Sequence, residues 1–157
     1  MTRVLAICAI LLATPPSLRA QAHPLAGTWD VLIPAGMRVE NGDPVPIIAK
    51  GLLNVSVAGD SLIGMLKIEP PAGMPAKPAS RLAARTGTGP TVFVERSKMT
   101  INNNGQESDY PMTVTYTFEA TGDSLQGRMT RTVEGMAMPG PMSTPPPISG
   151  KRVKPAG

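Results

Sequence analysis

The chain predicts an all-β protein, a single antiparallel up-and-down barrel of about eight strands behind an N-terminal signal peptide. Three observations carry that prediction. The phrase Gly-Asp-Ser-Leu-x-Gly occurs at Gly59–Gly64 and again 63 positions later at Gly122–Gly127. Each copy lies between runs of alternating apolar and polar residues, where Gly and Asp supply the backbone freedom of a tight reversal. The run from Met112 to Ala120 alternates cleanly, with Met112, Val114, Tyr116, Phe118 and Ala120 on one face and threonines with Glu119 on the other, as a half-buried strand requires. No stretch of the remaining chain carries a helical period.

In chain order, Met1 to Ala22 has the zones of a secretory signal: Arg3, the apolar run Val4 to Ala13, the breaker Thr14-Pro15-Pro16-Ser17 and an Ala20-Gln21-Ala22 cleavage pattern. Cutting after Ala22 starts the mature chain at His23; cutting after Ala20 is the alternative. The domains are therefore the signal at 1–22 and the barrel at 23–157. Strands follow near 27–33, where Trp29, Val31 and Ile33 share a face; 46–58, with Leu53, Val55 and Val57; and 61–69, with Leu62, Leu66 and Ile68 around Gly64. The next two, near 80–87 and 91–101, are the least regular: the first lacks clean alternation and the second changes its apolar face midway. The series ends near 108–120, 124–134 and 147–154.

Eight strands joined by short reversals leave exposed edges unless the sheet closes, and eight is the size at which a barrel holds one core or one small ligand. In a meander the even loops gather at one end. Those around Gly59-Asp60-Ser61, Gly87-Thr88-Gly89 and Gly122-Asp123-Ser124 are tight, whereas the odd group contains long segments at Pro34–Val45, Pro70–Ala79 and Gly135–Pro146. A closed base and a loop-rich mouth are expected.

Gly27-Thr28-Trp29 on the first strand resembles the Gly-x-Trp opening of lipocalins and the wider calycin group. Lys151-Arg152 on the last resembles the basic residue that those folds stack on the tryptophan. The resemblance implies that Trp29 and Arg152 close one end of the barrel by a cation–π contact. It spans about a dozen residues, without the second Thr-Asp-Tyr motif or the C-terminal helix of true lipocalins, and the whole chain looks more like small exported bacterial β-barrel proteins of mostly unknown function. Gly-Asp-Ser-Leu also resembles the signature of the GDSL esterases, which implies Ser61 or Ser124 as nucleophile. That chemistry needs a histidine base downstream, and the sole histidine, His23, lies upstream of both copies.

The chain's single cysteine, Cys8, leaves with the signal, so a mature chain of about 135 residues relies on a packed core. Loss of Arg3 and Arg19 leaves 13 basic against 11 acidic side chains. With so few aromatic residues, this balance argues against a nucleic-acid partner. The apolar signal run is too short to span a bilayer, so the product is expected to be periplasmic or secreted and not membrane-spanning. No cofactor is implied, and neither catalytic pair nor nucleophile supports an enzyme.

The leading functional expectation is a barrel that takes a small apolar or amphipathic molecule at its open end, lined by Val55, Val57, Leu66, Met112, Val114, Tyr116, Phe118 and Met129. Arg131 lies on the face of Met129 and Val133 and marks a polar spot for an anionic head group; a register slip that turns it outward is the alternative. Methionines at the odd loops (Met37, Met74, Met136, Met138 and Met142) suit an adaptable apolar rim. A second expectation is Cu(I) or Ag(I) binding by Met136, Met138 and Met142. A third is a structural or interaction module whose barrel is fully packed, with its protein partner unspecified.

Overall fold

The structure is a computed structural model that describes residues 23–70, 76–103, 105–135 and 146–154. The expectations for the signal at 1–22, for Met74 and for Met136, Met138 and Met142 lie outside these residues. The described chain forms eight strands: β1 (Gly27–Glu40), β2 (Asp43–Ala58), β3 (Ser61–Ile68), β4 (Ser80–Arg85), β5 (Thr91–Asn103), β6 (Gln106–Thr121), β7 (Ser124–Val133) and β8 (Ile148–Arg152). They make one antiparallel sheet in the order β4-β3-β2-β1-β8-β7-β6-β5. The sheet curls until its outer strands β4 and β5 adjoin, giving an all-β, nearly closed up-and-down barrel.

The curl follows from glycines on the inner face. A Cβ on Gly51 would come 2.9 Å from the Lys67 carbonyl oxygen, one on Gly150 would come 2.9 Å from the Asp30 oxygen, and one on Gly127 would strike both Thr117 O at 2.5 Å and the Phe118 ring at 2.7 Å. Strands approach this closely only where the side chain is missing. Both copies of the repeated phrase turn through a glycine in the left-handed region, Gly59 at φ 63° and Gly122 at φ 59°.

Pro34–Val45 is paired strand, not the expected long loop. β1 and β2 continue, with a bulge between Pro34 and Gly36, to a two-residue turn at Asn41-Gly42. Its φ values of 51° and 92° suit a hairpin. Pro44 and Pro46 are tolerated because β3 pairs with β2 only from Gly51 onward, leaving a free edge there. Likewise β6 pairs with β7 only from Met112 onward, so the far ends of β5 and β6 form a second two-stranded arm. On that arm Asp109 accepts hydrogen bonds from Lys98 Nζ (2.5 Å) and Thr100 Oγ1 (2.6 Å), which hold its carboxyl below the usual range, the lysine bond contributing most. Both arms rise at the mouth end, and the three even turns form the base.

Inside, one continuous core runs from Leu25 and Trp29 through Leu53, Leu62, Leu66 and Leu82 to Phe93, Phe118 and Ile148. Phe118 meets Phe93 edge-on at 6.0 Å and stacks on Tyr116 at 6.1 Å, each contact adding roughly 0.5–1.5 kcal/mol to the burial itself. No ladder joins β4 to β5 among the described residues. Side chains close the gap: Ser80 Oγ donates to Glu95 Oε1 at 2.7 Å, and Leu82 and Phe93 both pack over Gly64.

The base is sealed by the segment before β1. Leu25 is buried beneath Trp29, whose indole N–H donates to the Leu25 carbonyl at 2.9 Å. The Arg152 guanidinium lies 4.1 Å from the Trp29 ring centroid. It donates to the carbonyls of Ala26 (2.6 Å) and Pro24 (2.7 Å) and meets Asp123 at 3.4 Å. One planar cation thereby ties the entering chain, the β6–β7 turn and the last strand together. Arg152→Ala is expected to lower unfolding stability in urea by about 2–4 kcal/mol, since charged hydrogen bonds and the ring contact are lost together. Arg152→Lys should recover less than half, because a point charge cannot reach both carbonyls while covering the ring.

Candidate functional site

The mouth is built mainly by β5, β6 and β7. Ladder partners place Glu95 opposite Val114 and Val114 opposite Arg131, so the three share one inward row. The register there is unbroken, and Arg131 keeps the inward parity of Met129 and Val133. By strand spacing, Glu95 and Arg131 stand about 10 Å apart across Val114. They make no ion pair with each other among the described residues.

Glu95 is already engaged. One carboxylate oxygen takes the Ser80 hydroxyl, and the other accepts from the Tyr116 hydroxyl at 3.2 Å. Tyr116 is 4% exposed. Burial foremost, then the negative charge of Glu95 and its hydrogen bond, raise the phenol well above its ordinary value, against a weaker opposing pull from Arg131. Arg131 touches little: Nη2 lies 3.9 Å from the Met129 sulfur, and the residue is exposed at the opening. The mouth thus holds a satisfied carboxylate and phenol on one side and, on the other, a guanidinium that makes no ion pair among the described residues, with Met112, Val114 and Met129 between them.

Of the residues expected to line one opening, partly buried Met112 and exposed Arg131 reach the rim, and Val114, Tyr116 and Met129 lie beneath them as part of the buried core. Val55, Leu66 and Phe118 are buried in the same core at 3%, 2% and 1% exposure. Val57 is a correction: beside Leu62, next to the Gly59-Asp60 turn, it is 47% exposed at the base end. Among the rim methionines, Met37 falls on the extension of β1, while Met74, Met136, Met138 and Met142 lie outside the described residues. Sequence reading missed Ser80, Glu95 and half-buried Met99. Taking Phe93 as inward would have found Glu95 and Met99 by parity alone.

A concavity of about 820 Å³ lies elsewhere, on the outer wall of β8, β1, β2 and β3, where Leu32 and Leu52 are surrounded by Asp30, Lys50, Lys67, Glu69 and Lys151. Among the described residues no three His, Cys, Asp or Glu side chains gather as a metal site, and no helix is long and apolar enough to cross a membrane.

The Tyr116 geometry makes a pH prediction. The native state holds the phenolic proton more tightly than the unfolded chain, whose tyrosine titrates near 10.0, so this contribution to stability is complete below that value and is lost as pH rises above it. In alkaline denaturation series the wild type should lose stability above pH 10 more steeply than Tyr116→Phe. In a Tyr110→Phe background, phenolate absorbance at 295 nm should appear only as the barrel unfolds.

Comparison with known protein families, with curated proteins and with solved structures finds no match, so the likeness to lipocalins rests on the barrel itself, a nearly closed antiparallel architecture compatible with theirs.

Proposed function

We infer that the protein is an exported, lipocalin-like barrel that holds a small amphipathic molecule with an anionic head at its mouth. The observation that carries this reading is Arg131, an inward-parity cation without a partner carboxylate among the described residues, across Val114 from a Glu95 already satisfied by Ser80 and Tyr116. Its exposed guanidinium is open to an anion from solvent, and the methionines beside it offer an adaptable apolar surface. The ligand sits shallowly, its tail against partly buried Met112, because Val114, Tyr116 and Met129 below belong to the buried core. Export follows from the three-zone segment at 1–22. A periplasmic or extracellular location agrees with outward faces such as Thr113, Thr115, Thr117 and Glu119 on β6, the reverse of a lipid-facing barrel.

The packed interior favours a second reading, a structural or interaction module without a small ligand. Calorimetry separates the two. Laurate should bind the mature protein, while dodecyltrimethylammonium should bind at least 10-fold more weakly. Arg131→Gln should weaken laurate about 10-fold, equivalent to about 1.4 kcal/mol. No heat with either amphiphile, or no effect of the substitution, sinks the ligand reading and leaves the packed module. For export, mass spectrometry of protein recovered from outside the cytoplasm should show a chain starting at His23, or at Gln21 if the earlier bond is cut. A retained Met1 would refute it.

A further inference from the structure

We propose that the outer wall formed by β4, β5, β6 and β7 binds an acidic polysaccharide. Charge is distributed unevenly around this barrel. On the opposite wall, lysines stand beside acids: Lys151 pairs in register with Asp30, and Glu69 N–H donates to the Lys50 carbonyl, which places those two residues side by side. On the β4–β7 wall the outward arginines are Arg81, Arg85, Arg96 and Arg128, all exposed. None of the four is in an ion pair among the described residues. The outward acids flank these cations: Glu119 lies one row from Arg128 toward the base, Glu134 follows β7 beside Pro111, and Glu107 and Asp109 are on the arm, where Lys98 holds Asp109.

The register lays out the wall between the arginines. Val92, Thr117 and Arg128 form one outward row; Val94, Thr115 and Thr130 the next; Arg96, Thr113 and Thr132 the third. The Ser80–Glu95 bond sets Arg81 on the outside next to Val94. By strand spacing the cations are spread over roughly 15–20 Å. That separation is too wide for one small anion and suits a chain bearing repeated charges. Guanidinium groups match carboxylate and sulfate in a bidentate fork. Threonine hydroxyls can exchange hydrogen bonds with sugar hydroxyls, and Val92 and Val94, 48% and 43% exposed, offer apolar contact to a pyranose ring. Trp29, Phe93, Phe118 and Tyr116 are buried and half-buried Tyr110 has the inward parity of Met112 on the arm, so among the described residues this wall has no aromatic platform on which nucleic-acid bases stack. The sugar polymer, not a polynucleotide, is the fitting occupant, and this wall is separate from the mouth.

Heparin is the probe. The wild type should be retained on immobilised heparin and released by soluble heparin or polygalacturonate, but not by neutral dextran. Arg81→Gln, Arg96→Gln and Arg128→Gln combined should weaken heparin binding at least 10-fold and reduce the slope of log affinity against log salt by about two to three. Lys50→Gln, Lys67→Gln and Lys151→Gln combined remove the same charge from the opposite wall and should change affinity less than 3-fold. All six positions are exposed, and matched thermal unfolding of both triples confirms intact barrels; Arg96→Gln alone, expected to cost 2–4-fold, serves if the triple is unstable. Equal losses from the two triples, or single-stranded DNA or polyphosphate binding as tightly as heparin, would overturn the proposal by showing general cation exchange. An unretained wild type would overturn it outright.

Discussion

Everything in this barrel depends on the sheet being able to bend, and the bending is done by absent side chains. Gly51 and Gly150 flank Val31 on the inner face, and a Cβ on either would press against a neighbouring carbonyl oxygen. Gly127 lies under the Phe118 ring, and Gly64 under Leu82 and Phe93. A chain with two phenylalanines and one tryptophan sets each phenylalanine ring against a glycine, Phe118 on Gly127 and Phe93 on Gly64, so that a small number of aromatic groups fill the interior at close packing.

Much of this architecture was legible in the residues. Alternation placed Met112 to Ala120 and Leu62 to Ile68 on the correct face because those strands bury one side and wet the other. The Pro34–Val45 segment is expected as a loop but is paired strand: Pro44 is compatible with a strand that has a free edge, and Asn41-Gly42 is itself a strong hairpin pair. β5 was hard to read for a different reason: Val92 and Val94 face solvent while Glu95 and Ser97 take inward parity, so hydrophobicity alone assigns the wrong side.

The mouth was half legible. Arg131 could be placed by counting along β7, since its alternation with Met129 and Val133 is regular. Its relation to Glu95 could not, because that depends on which strands adjoin and in what register, and the Ser80 contact joins residues from the two outer strands of the sheet. Charge distribution was equally hidden: a surplus of two in the mature chain looks bland until the topology gathers arginines on one wall and intermixes lysines with acids on the other.

The boundary between β4 and β5 has a mechanical meaning. Seven of the eight strand junctions are stitched by backbone hydrogen bonds, whereas this one is fastened by a serine, a glutamate and interlocking apolar side chains. Separating it breaks no ladder among the described residues, so the cylinder has a built-in zip: opening there costs the fewest backbone hydrogen bonds and leaves the order of the other seven junctions unchanged.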